Sequence, residues 1–300
     1  MKINMPQKLY DLRLELAKPF LFGEGHDQWS FSGESFKFLE EIKNHIASQT
    51  GITIAGPLEG IHRELPMDFQ TLNTDGLNAL TKPISQISRE LVKVYCSMVA
   101  RMAKDHLKSD VVFESDPFLR FHFPIAAPST YRGFDGRLLA YHSDTLFGDY
   151  FEQINCWMAF SNCDASNTMQ IAPMTESLKI LTNFSESLDF DWDRYASGRR
   201  YFFEKLRDDN DFSQLVTSAC YPLMATYGTV HLFDPRFVHG TSENKENTTR
   251  ISLDFRVIKV SDYERITAKA DQIDINIPGF NNKAYTKGDY FHENSAYNFI

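Results

Sequence analysis

The spacing of apolar residues changes once along the chain, from a helical to an extended pattern. Between about residues 34 and 108, apolar side chains recur at steps of three and four, the period of an amphipathic helix. The segment ESFKFLEEIKNHIASQ predicts one helix, and Pro83 suits the first position of a longer helix that runs to about Leu107. We therefore expect residues 1–110 to form a mainly helical support.

From about residue 111 the pattern alternates with a period of two. Short apolar or alternating runs are separated by turn residues, and they include VVF, FLRFHFP, RLLAYHSD, QINCWMAF, TMQIAP, GTVHLFD and RISLDFRVI. Many short strands of this kind are typical of an antiparallel sandwich or barrel. The segment YASGRRYFFEKLRDD predicts a helical insertion near 195–209. We expect a single domain, mainly β with flanking helices, with a barrel core over 111–260 and a surface tail over 261–300.

Charge and composition exclude several classes of partner. The formal net charge of −9, without a cluster of Lys and Arg, argues against nucleic-acid binding. No apolar run approaches the roughly 18 residues needed to span a bilayer, and the first residues lack the apolar core of a secretory signal. The 4 cysteines form no C-x-x-C pair and are expected to be free thiols in a reducing compartment. We expect a cytoplasmic protein.

A histidine and a carboxylate two residues apart are the first candidates for chemistry. In a strand, residues two apart share a face, so His142 and Asp144 at the end of RLLAYHSD would both point to the mouth of a barrel. His62 and Glu64 have the same spacing, but they lie in a stretch without strand alternation. We interpret this second pair as a surface or structural feature.

A third ligand is needed if the first pair holds a metal. His239 is the strongest candidate, because it lies at the end of another predicted strand and before a polar turn. Two histidines and one carboxylate leave three positions open on a metal, which suits ferrous iron that binds a co-substrate and O2 together. His231, inside an apolar strand, is the rival ligand, and we interpret it as a core histidine or as one that supports the metal ligands.

A polar face follows His239 in the strand RISLDFRVI. The alternation puts Arg250, Ser252 and Arg256 on one side and apolar residues on the other. A buried arginine beside a ferrous site can hold a carboxylate through two parallel charge-assisted hydrogen bonds, and a serine hydroxyl can add a third. Arg250 with Ser252 is the preferred anchor, and Arg256 is its rival.

The pattern H-x-D…H…R-x-S resembles the motif of the Fe(II)/2-oxoglutarate-dependent dioxygenases. It is formed here by His142, Asp144, His239, Arg250 and Ser252. The surrounding segments RFHFP, QINCWMAF and TMQIAP are similar to the phytanoyl-CoA hydroxylase-like branch, whose members include small-molecule hydroxylases of carbohydrate and antibiotic gene clusters. The likeness covers about residues 118–258, under half of the chain.

The resemblance implies a fold and a set of cofactors. The fold is a double-stranded β-helix, that is, a jelly-roll or cupin-like barrel. The two histidines and the aspartate of the motif hold Fe(II), 2-oxoglutarate is the co-substrate with its far carboxylate on Arg250 and Ser252, and O2 is the oxidant. Further candidates are Asn155 and Trp157 beside the cofactor, and Arg120, His122, Tyr131, Arg132 and Thr145 beside the substrate.

The implied activity is hydroxylation, oxidative cyclisation or desaturation of a small polar metabolite, such as an amino acid, amino sugar or nucleoside derivative. Two alternatives stay open. One is a cupin-like isomerase or hydrolase that uses the triad without 2-oxoglutarate, which binding of that co-substrate would exclude. The other is a protein-directed hydroxylase or binding protein, which would need a broad exposed groove. The substrate and the oligomeric state are left open by the sequence.

Overall fold

The computed structural model describes residues 19–72, 77–124, 141–147, 149, 151–186, 198–270 and 291–293. The helices are α1 Phe38–Thr50, α2 Met67–Gln70, α3 Arg89–Met102, α4 Met174–Glu186, α5 Gly198–Asp208, α6 Asn210–Ala219 and α7 Val260–Ala270. Short 3-10 helices lie at Gly33–Ser35, Leu58–Arg63, Ile84–Gln86 and Asp144–Phe147, and a π-helical turn at Ala103–Leu107 continues α3. None of the described helices is long and apolar enough to cross a membrane.

The strands form two antiparallel sheets. They are β1 His26–Ser30, β2 Lys82–Pro83, β3 Val111–Glu114, β4 Phe118–His122, β5 Ile154–Ala159, β6 Met169–Ile171, β7 Tyr221–Pro222, β8 Thr229–Phe233, β9 His239–Thr241, β10 Arg250–Lys259 and β11 Phe291–Glu293. The large sheet has the order β1-β8-β5-β10-β3-β11, with β4 also on β10 and β2 on β4; the small sheet has the order β7-β6-β9. The expected fold, mainly antiparallel sheet with helices, is confirmed. The described strands form two sheets, and a closed barrel stays a prediction.

Helices α1 and α3 cover one face of the large sheet. Their amphipathic sequences bury Ile42 and Ile46 from α1 and Leu91 and Tyr95 from α3 in a cluster with the apolar side chains of β10. Tyr95 packs edge-on against Phe255 with ring centroids 5.3 Å apart. Burial of each large apolar side chain contributes about 1.5–3 kcal/mol, so this face anchors the sheet.

The first turn of α3 differs from the sequence prediction. Pro83 does not begin the helix, because it lies in β2 opposite Phe118. The helix begins six residues later, where Ser88 is the N-cap and its hydroxyl accepts a hydrogen bond from the Leu91 amide at 2.9 Å. A capping serine competes better for a helix start than a proline whose neighbours pair with a strand.

The other face of the large sheet is turned towards the small sheet. Trp157 and Phe233 of the large sheet pack with Met169 and Ile171 of β6 in a second apolar cluster. A third cluster joins α4, α5 and α6 around Phe184, Phe202 and Phe212. Of these helices only α5, within 195–209, is predicted by the sequence. The candidate polar residues lie on this second face.

The large sheet extends beyond the predicted core of 111–260. Strand β1 pairs with β8 over its whole length, so the first third of the chain is not purely helical. Strand β11 pairs with β3, so the segment after residue 261 contributes to the sheet instead of forming only a surface tail. Both strands are short and polar, and their alternation is too weak to predict them.

Candidate metal centre

Three residues from two segments meet at one point. His142 and His239 form an isolated antiparallel bridge, in which each amide donates to the other residue's carbonyl at 2.8 Å. Asp144 follows in the 3-10 turn, with its Oδ1 3.4 Å from His142 Nε2 and 3.8 Å from His239 Nε2. One ligand atom from each residue lies within 4.8 Å of the others. The spacing fits three ligands around one ion.

The local backbone differs from the predicted strand end. Among the described residues His142 makes a single bridge and Asp144 begins the 3-10 helix, while residues 137–140 of the predicted strand lie outside the described residues. Ser143 holds this turn, since its buried hydroxyl donates to the Pro235 carbonyl at 2.8 Å and lies 2.7 Å from the Thr145 hydroxyl. Thr145 is fully buried there, so the structure places it in the turn and not on a surface open to substrate.

His239 is held in the state that a metal requires. Its Nδ1 lies 3.0 Å from the Phe237 carbonyl, which can only accept, so Nδ1 carries the proton and Nε2 presents a lone pair. Burial, and then the neighbouring His142, lower the pKa of His239 to about 4. The ring is therefore neutral at pH 7, the form that binds a metal ion.

Asp144 is almost fully buried and has two unlike oxygens. Oδ2 accepts a hydrogen bond from Arg256 Nη2 at 3.1 Å, whereas Oδ1 has no hydrogen-bond partner. Burial alone would raise the pKa of this carboxyl, but Arg256 and the two histidines lower it below the usual range. The residues present therefore offer two imidazole nitrogens and one carboxylate oxygen, a donor set that suits a divalent first-row metal.

A cationic cluster lies on the face of the large sheet that also bears Arg256. Arg250 stands opposite His122 in the β10–β4 pairing, and Ser252 stands between Arg120 and Ala159 of the flanking strands. Arg250 is 5% exposed, and one of its amino groups donates to the Asn167 carbonyl at 3.3 Å. Arg250 Nε, Ser252 Oγ and His122 Nδ1 are buried without a hydrogen-bond partner.

The charge states of the side chains in this cluster favour the binding of an anion. Burial lowers the pKa of Arg250 to about 10, which leaves the guanidinium charged at pH 7. Burial, and then the charge of Arg250, lower the pKa of His122 well below its usual value, so that ring is neutral. Among the described residues no carboxylate forms an ion pair with Arg250. A carboxylate ligand would supply the missing counter-charge.

The rival arginine is already neutralised. Arg256 lies near four carboxylates, and these belong to Asp144, Glu114, Asp254 and Asp149 at 3.1, 3.4, 3.5 and 3.9 Å. Burial alone would lower the pKa of Arg256, but these carboxylates raise that pKa well above its usual value. A further anion would meet repulsion here, so the geometry favours Arg250 as the anchor. Glu114 and Asp149 come from distant segments and were not predicted.

The remaining candidates have mixed surroundings. Arg120 forms a bidentate pair with Asp254, with Nε 2.5 Å from Oδ1. The Asn155 amide nitrogen is buried without a partner, while its oxygen accepts from Gln153. Trp157 is buried in the cluster between the sheets, on the same face. Tyr131 and Arg132 lie outside the described residues.

The rival histidines are not in the ligand group. His231 is buried, and its Nδ1 lies 3.3 Å from Gln28 Nε2 and 3.4 Å from His26 Nε2, so it supports the sheet beside Trp157. His62 contacts Thr249 and Asn247, and thereby holds the loop before β10. These contacts agree with the interpretation of both as structural residues.

Searches for related proteins find fold neighbours only. No protein-family model and no curated protein matches the chain. EctD from S. alaskensis with 2-oxoglutarate and 5-hydroxyectoine has a TM-score of 0.46 and 14% identity, with 86% of this chain and 77% of that chain covered. The non-heme alpha ketoglutarate dependent epimerase SnoN from nogalamycin biosynthesis has a TM-score of 0.44 and 11% identity, with 85% of this chain and 84% of that chain covered. The non-heme monooxygenase ThoJ, as a nickel complex, has a TM-score of 0.40 and 13% identity, with 79% of this chain and 74% of that chain covered.

Of these three structures, two are described as non-heme, and two are described with alpha ketoglutarate or 2-oxoglutarate. None of these descriptions mentions the phytanoyl-CoA hydroxylase-like branch. At identities of 11% to 14% the likeness concerns the fold. The chemistry of this site must be argued from its own residues.

Proposed function

We propose that the protein is a non-haem Fe(II)- and 2-oxoglutarate-dependent oxygenase that acts on a small polar metabolite. The observation that carries the proposal is the meeting of His142, Asp144 and His239 next to the large-sheet face that bears Arg250 and Ser252, to which Asp144 is bonded through Arg256. A metal site beside an unpaired cationic group suits a co-substrate that binds iron at one end and carries a free carboxylate at the other.

The metal would be held by the two histidine Nε2 atoms and by Asp144 Oδ1. Bound ferrous iron supplies O2 activation coupled to the decarboxylation of 2-oxoglutarate to succinate. The protein contributes the orientation of the ligands: Phe237 fixes the tautomer of His239, and Ser143 fixes the turn that carries Asp144. Three ligand atoms from the chain leave three positions for the co-substrate and O2.

The far carboxylate of 2-oxoglutarate would bind at Arg250. Its Nε and the Ser252 hydroxyl are buried donors without an acceptor, and both lie on the large-sheet face of Arg256, which binds Asp144. Hydrogen bonds between a guanidinium and a carboxylate are about twice as strong as neutral ones, so the pair would fix the orientation of the co-substrate. Trp157 and Phe233 are both buried on this face and give the co-substrate apolar surroundings in which a charged hydrogen bond is stronger.

The nature of the substrate is supported by one further pair. Arg120 and Asp254 lie beside Ser252, with side chains 32% and 26% exposed. They pair with each other and remain partly open to solvent, so this face presents charged groups as well as apolar ones. This arrangement favours a small polar molecule over a lipid. A cupin-like isomerase or hydrolase would have no use for the unpaired groups of Arg250 and Ser252, so this alternative ranks second.

The test is succinate release in the presence of Fe(II), 2-oxoglutarate and O2, with and without a panel of amino acids, amino sugars and nucleosides. We expect 2-oxoglutarate-dependent succinate release that rises with the true substrate. Asp144→Ala should keep the fold and lose turnover, because the triad loses its only carboxylate. Glu64→Ala is the matched control, since it removes the exposed carboxylate of the second histidine–carboxylate pair, and it should retain turnover. Full activity of Asp144→Ala with excess iron would overturn the proposal.

A further inference from the structure

Arg256 joins the candidate metal ligand to a group of buried carboxylates. Its Nη2 donates to Asp144 Oδ2 at 3.1 Å, and its Nη1 lies 3.4 Å from Glu114 and 3.5 Å from Asp254. Its Nε lies 3.9 Å from Asp149. The guanidinium is therefore held from several sides, and its position relative to Asp144 is set by groups that are not themselves metal candidates.

The two oxygens of Asp144 face different partners as a result. Oδ2 is taken by the guanidinium, whereas Oδ1 faces the Nε2 atoms of His142 and His239 and has no hydrogen-bond partner. An aspartate bound to a cation can use one oxygen or both. Here one oxygen is directed to the ligand group and the other is already engaged.

We infer that Arg256 is a positioning residue that restricts Asp144 to a single metal bond. The inference rests on the proposed iron site and adds the residue that keeps its coordination open. If Oδ2 were free, it would bind the ion as well and occupy one of the three positions left by the triad. The two iron-binding atoms of a 2-oxoacid and O2 need all three positions.

The charge of Arg256 has a second consequence. The guanidinium lies one hydrogen bond from a metal ligand, so it repels a bound dication and weakens metal binding. Loss of the arginine therefore has two opposite effects. The metal should bind more tightly, because repulsion is removed and a second carboxylate oxygen becomes available. The co-substrate should bind more weakly, because one of its positions is taken.

The experiment uses Co(II) in place of Fe(II), under anaerobic conditions, and measures two affinities by titration. The first is that of the protein for Co(II), and the second is that of the Co(II) protein for 2-oxoglutarate. The variants are Arg256→Gln and Arg256→Lys. Arg265→Gln is the control, because it also removes one arginine, which pairs with Glu152 and Asp262 and not with Asp144. Infrared difference spectra add a direct readout, since the splitting of the carboxylate stretches narrows when both oxygens bind the metal.

For Arg256→Gln we expect Co(II) to bind about 10-fold more tightly, and 2-oxoglutarate to bind about 10-fold or more weakly, together with a narrowed carboxylate splitting. Arg256→Lys should restore part of both affinities, because it keeps the charge and one donor. Arg265→Gln should leave the carboxylate splitting and the Co(II) affinity at wild-type values. Glu114→Gln removes a carboxylate that neutralises Arg256 and leaves Asp144 in place, so the guanidinium should repel Co(II) more strongly and lower the Co(II) affinity.

Four outcomes are distinguishable. Weaker Co(II) binding by folded Arg256→Gln would mean that the arginine only builds the site, and it would overturn the inference. Unchanged 2-oxoglutarate affinity and carboxylate splitting in that variant would also overturn it. If Arg256→Gln does not fold, a wild-type Co(II) affinity in Glu114→Gln together with wild-type Co(II) and 2-oxoglutarate affinities in Arg256→Lys would also overturn the inference. Absence of Co(II) binding by the wild-type protein would instead overturn the proposed function.

Discussion

Buried polar atoms without a hydrogen-bond partner gather around the candidate site. In the part of the chain that the structure describes, such atoms belong to His122, Asp144, Gln153, Asn155, His231, Arg250 and Ser252. Proteins leave few of these atoms unpaired, because each costs about 1–3 kcal/mol. They lie on or beside the large-sheet face of Arg250 and Arg256, to which Asp144 is bonded, so at the scale of single residues this face is built to receive polar ligands.

Arg250 allows a prediction about the co-substrate. Arg250→Ala should weaken 2-oxoglutarate binding to the iron protein by about 10- to 1,000-fold, since each hydrogen bond to a charged group contributes about 1.5–3 kcal/mol. Arg250→Lys should recover part of the loss, because it keeps the charge but lacks the planar fork. Anaerobic titration of 2-oxoglutarate measures both, and iron affinity is the internal control. A loss of iron affinity with unchanged 2-oxoglutarate affinity would contradict the assignment.

The choice between the two arginines shows how far residue-level prediction can reach. Strand alternation alone puts Arg250 and Arg256 on one face, and the motif favours the first. What separates them is the charge around each: Glu114 and Asp149 neutralise Arg256, whereas no described carboxylate pairs with Arg250. These carboxylates come from segments far away in sequence, and their approach depends on the tertiary fold. No local pattern predicts it.

At the scale of elements, α3 has a start that can be tested. The Ser88 hydroxyl accepts from the Leu91 amide at 2.9 Å and donates to Glu41 of α1 at 2.7 Å. Ser88→Ala should therefore lower the free energy of unfolding by about 1–2 kcal/mol, the usual cost of a lost N-cap. Urea unfolding measures this. Ser97→Ala, inside the same helix, should change stability by less than about 0.5 kcal/mol. Equal effects of the two substitutions would argue against the cap.

The elements that could be predicted are those with a strong period. Helix α1 and the strand β10 follow directly from the spacing of their apolar residues. The 3-10 turn at Asp144 could not be predicted, because it depends on the bond from Ser143 to the distant Pro235 carbonyl. The strand β1 was missed for a similar reason: its polar sequence HDQWS forms a strand only through its pairing with β8.

At the scale of the whole molecule, several thiols and a tyrosine hydroxyl are buried or half-buried among the apolar clusters and the sheets. Burial raises the pKa of Cys220 to about 12 and raises the pKa of Cys156 and Cys163 as well. Burial also raises the pKa of Tyr227 to about 12, where its hydroxyl lies 3.1 Å from the carbonyls of Gly33 and Phe36. The folded chain therefore keeps these protons at a pH where the unfolded chain has lost them.

This difference predicts loss of stability in alkaline solution. Unfolded thiols ionise near pH 8.5 and folded ones only at higher pH, so between these values the unfolded state binds fewer protons and the free energy of unfolding falls as pH rises. The stabilising contribution of the protonated thiols is fully present below about pH 8.5. Above that pH each thiol can lower the free energy of unfolding by up to about 1.4 kcal/mol per pH unit. Urea unfolding of the reduced protein at intervals from pH 7.5 to 10.5 measures the slope. Cys220→Ser, which no longer ionises in this range, should make the slope shallower, and a wild-type profile that stays flat to pH 10 would show that these thiols are not buried as described.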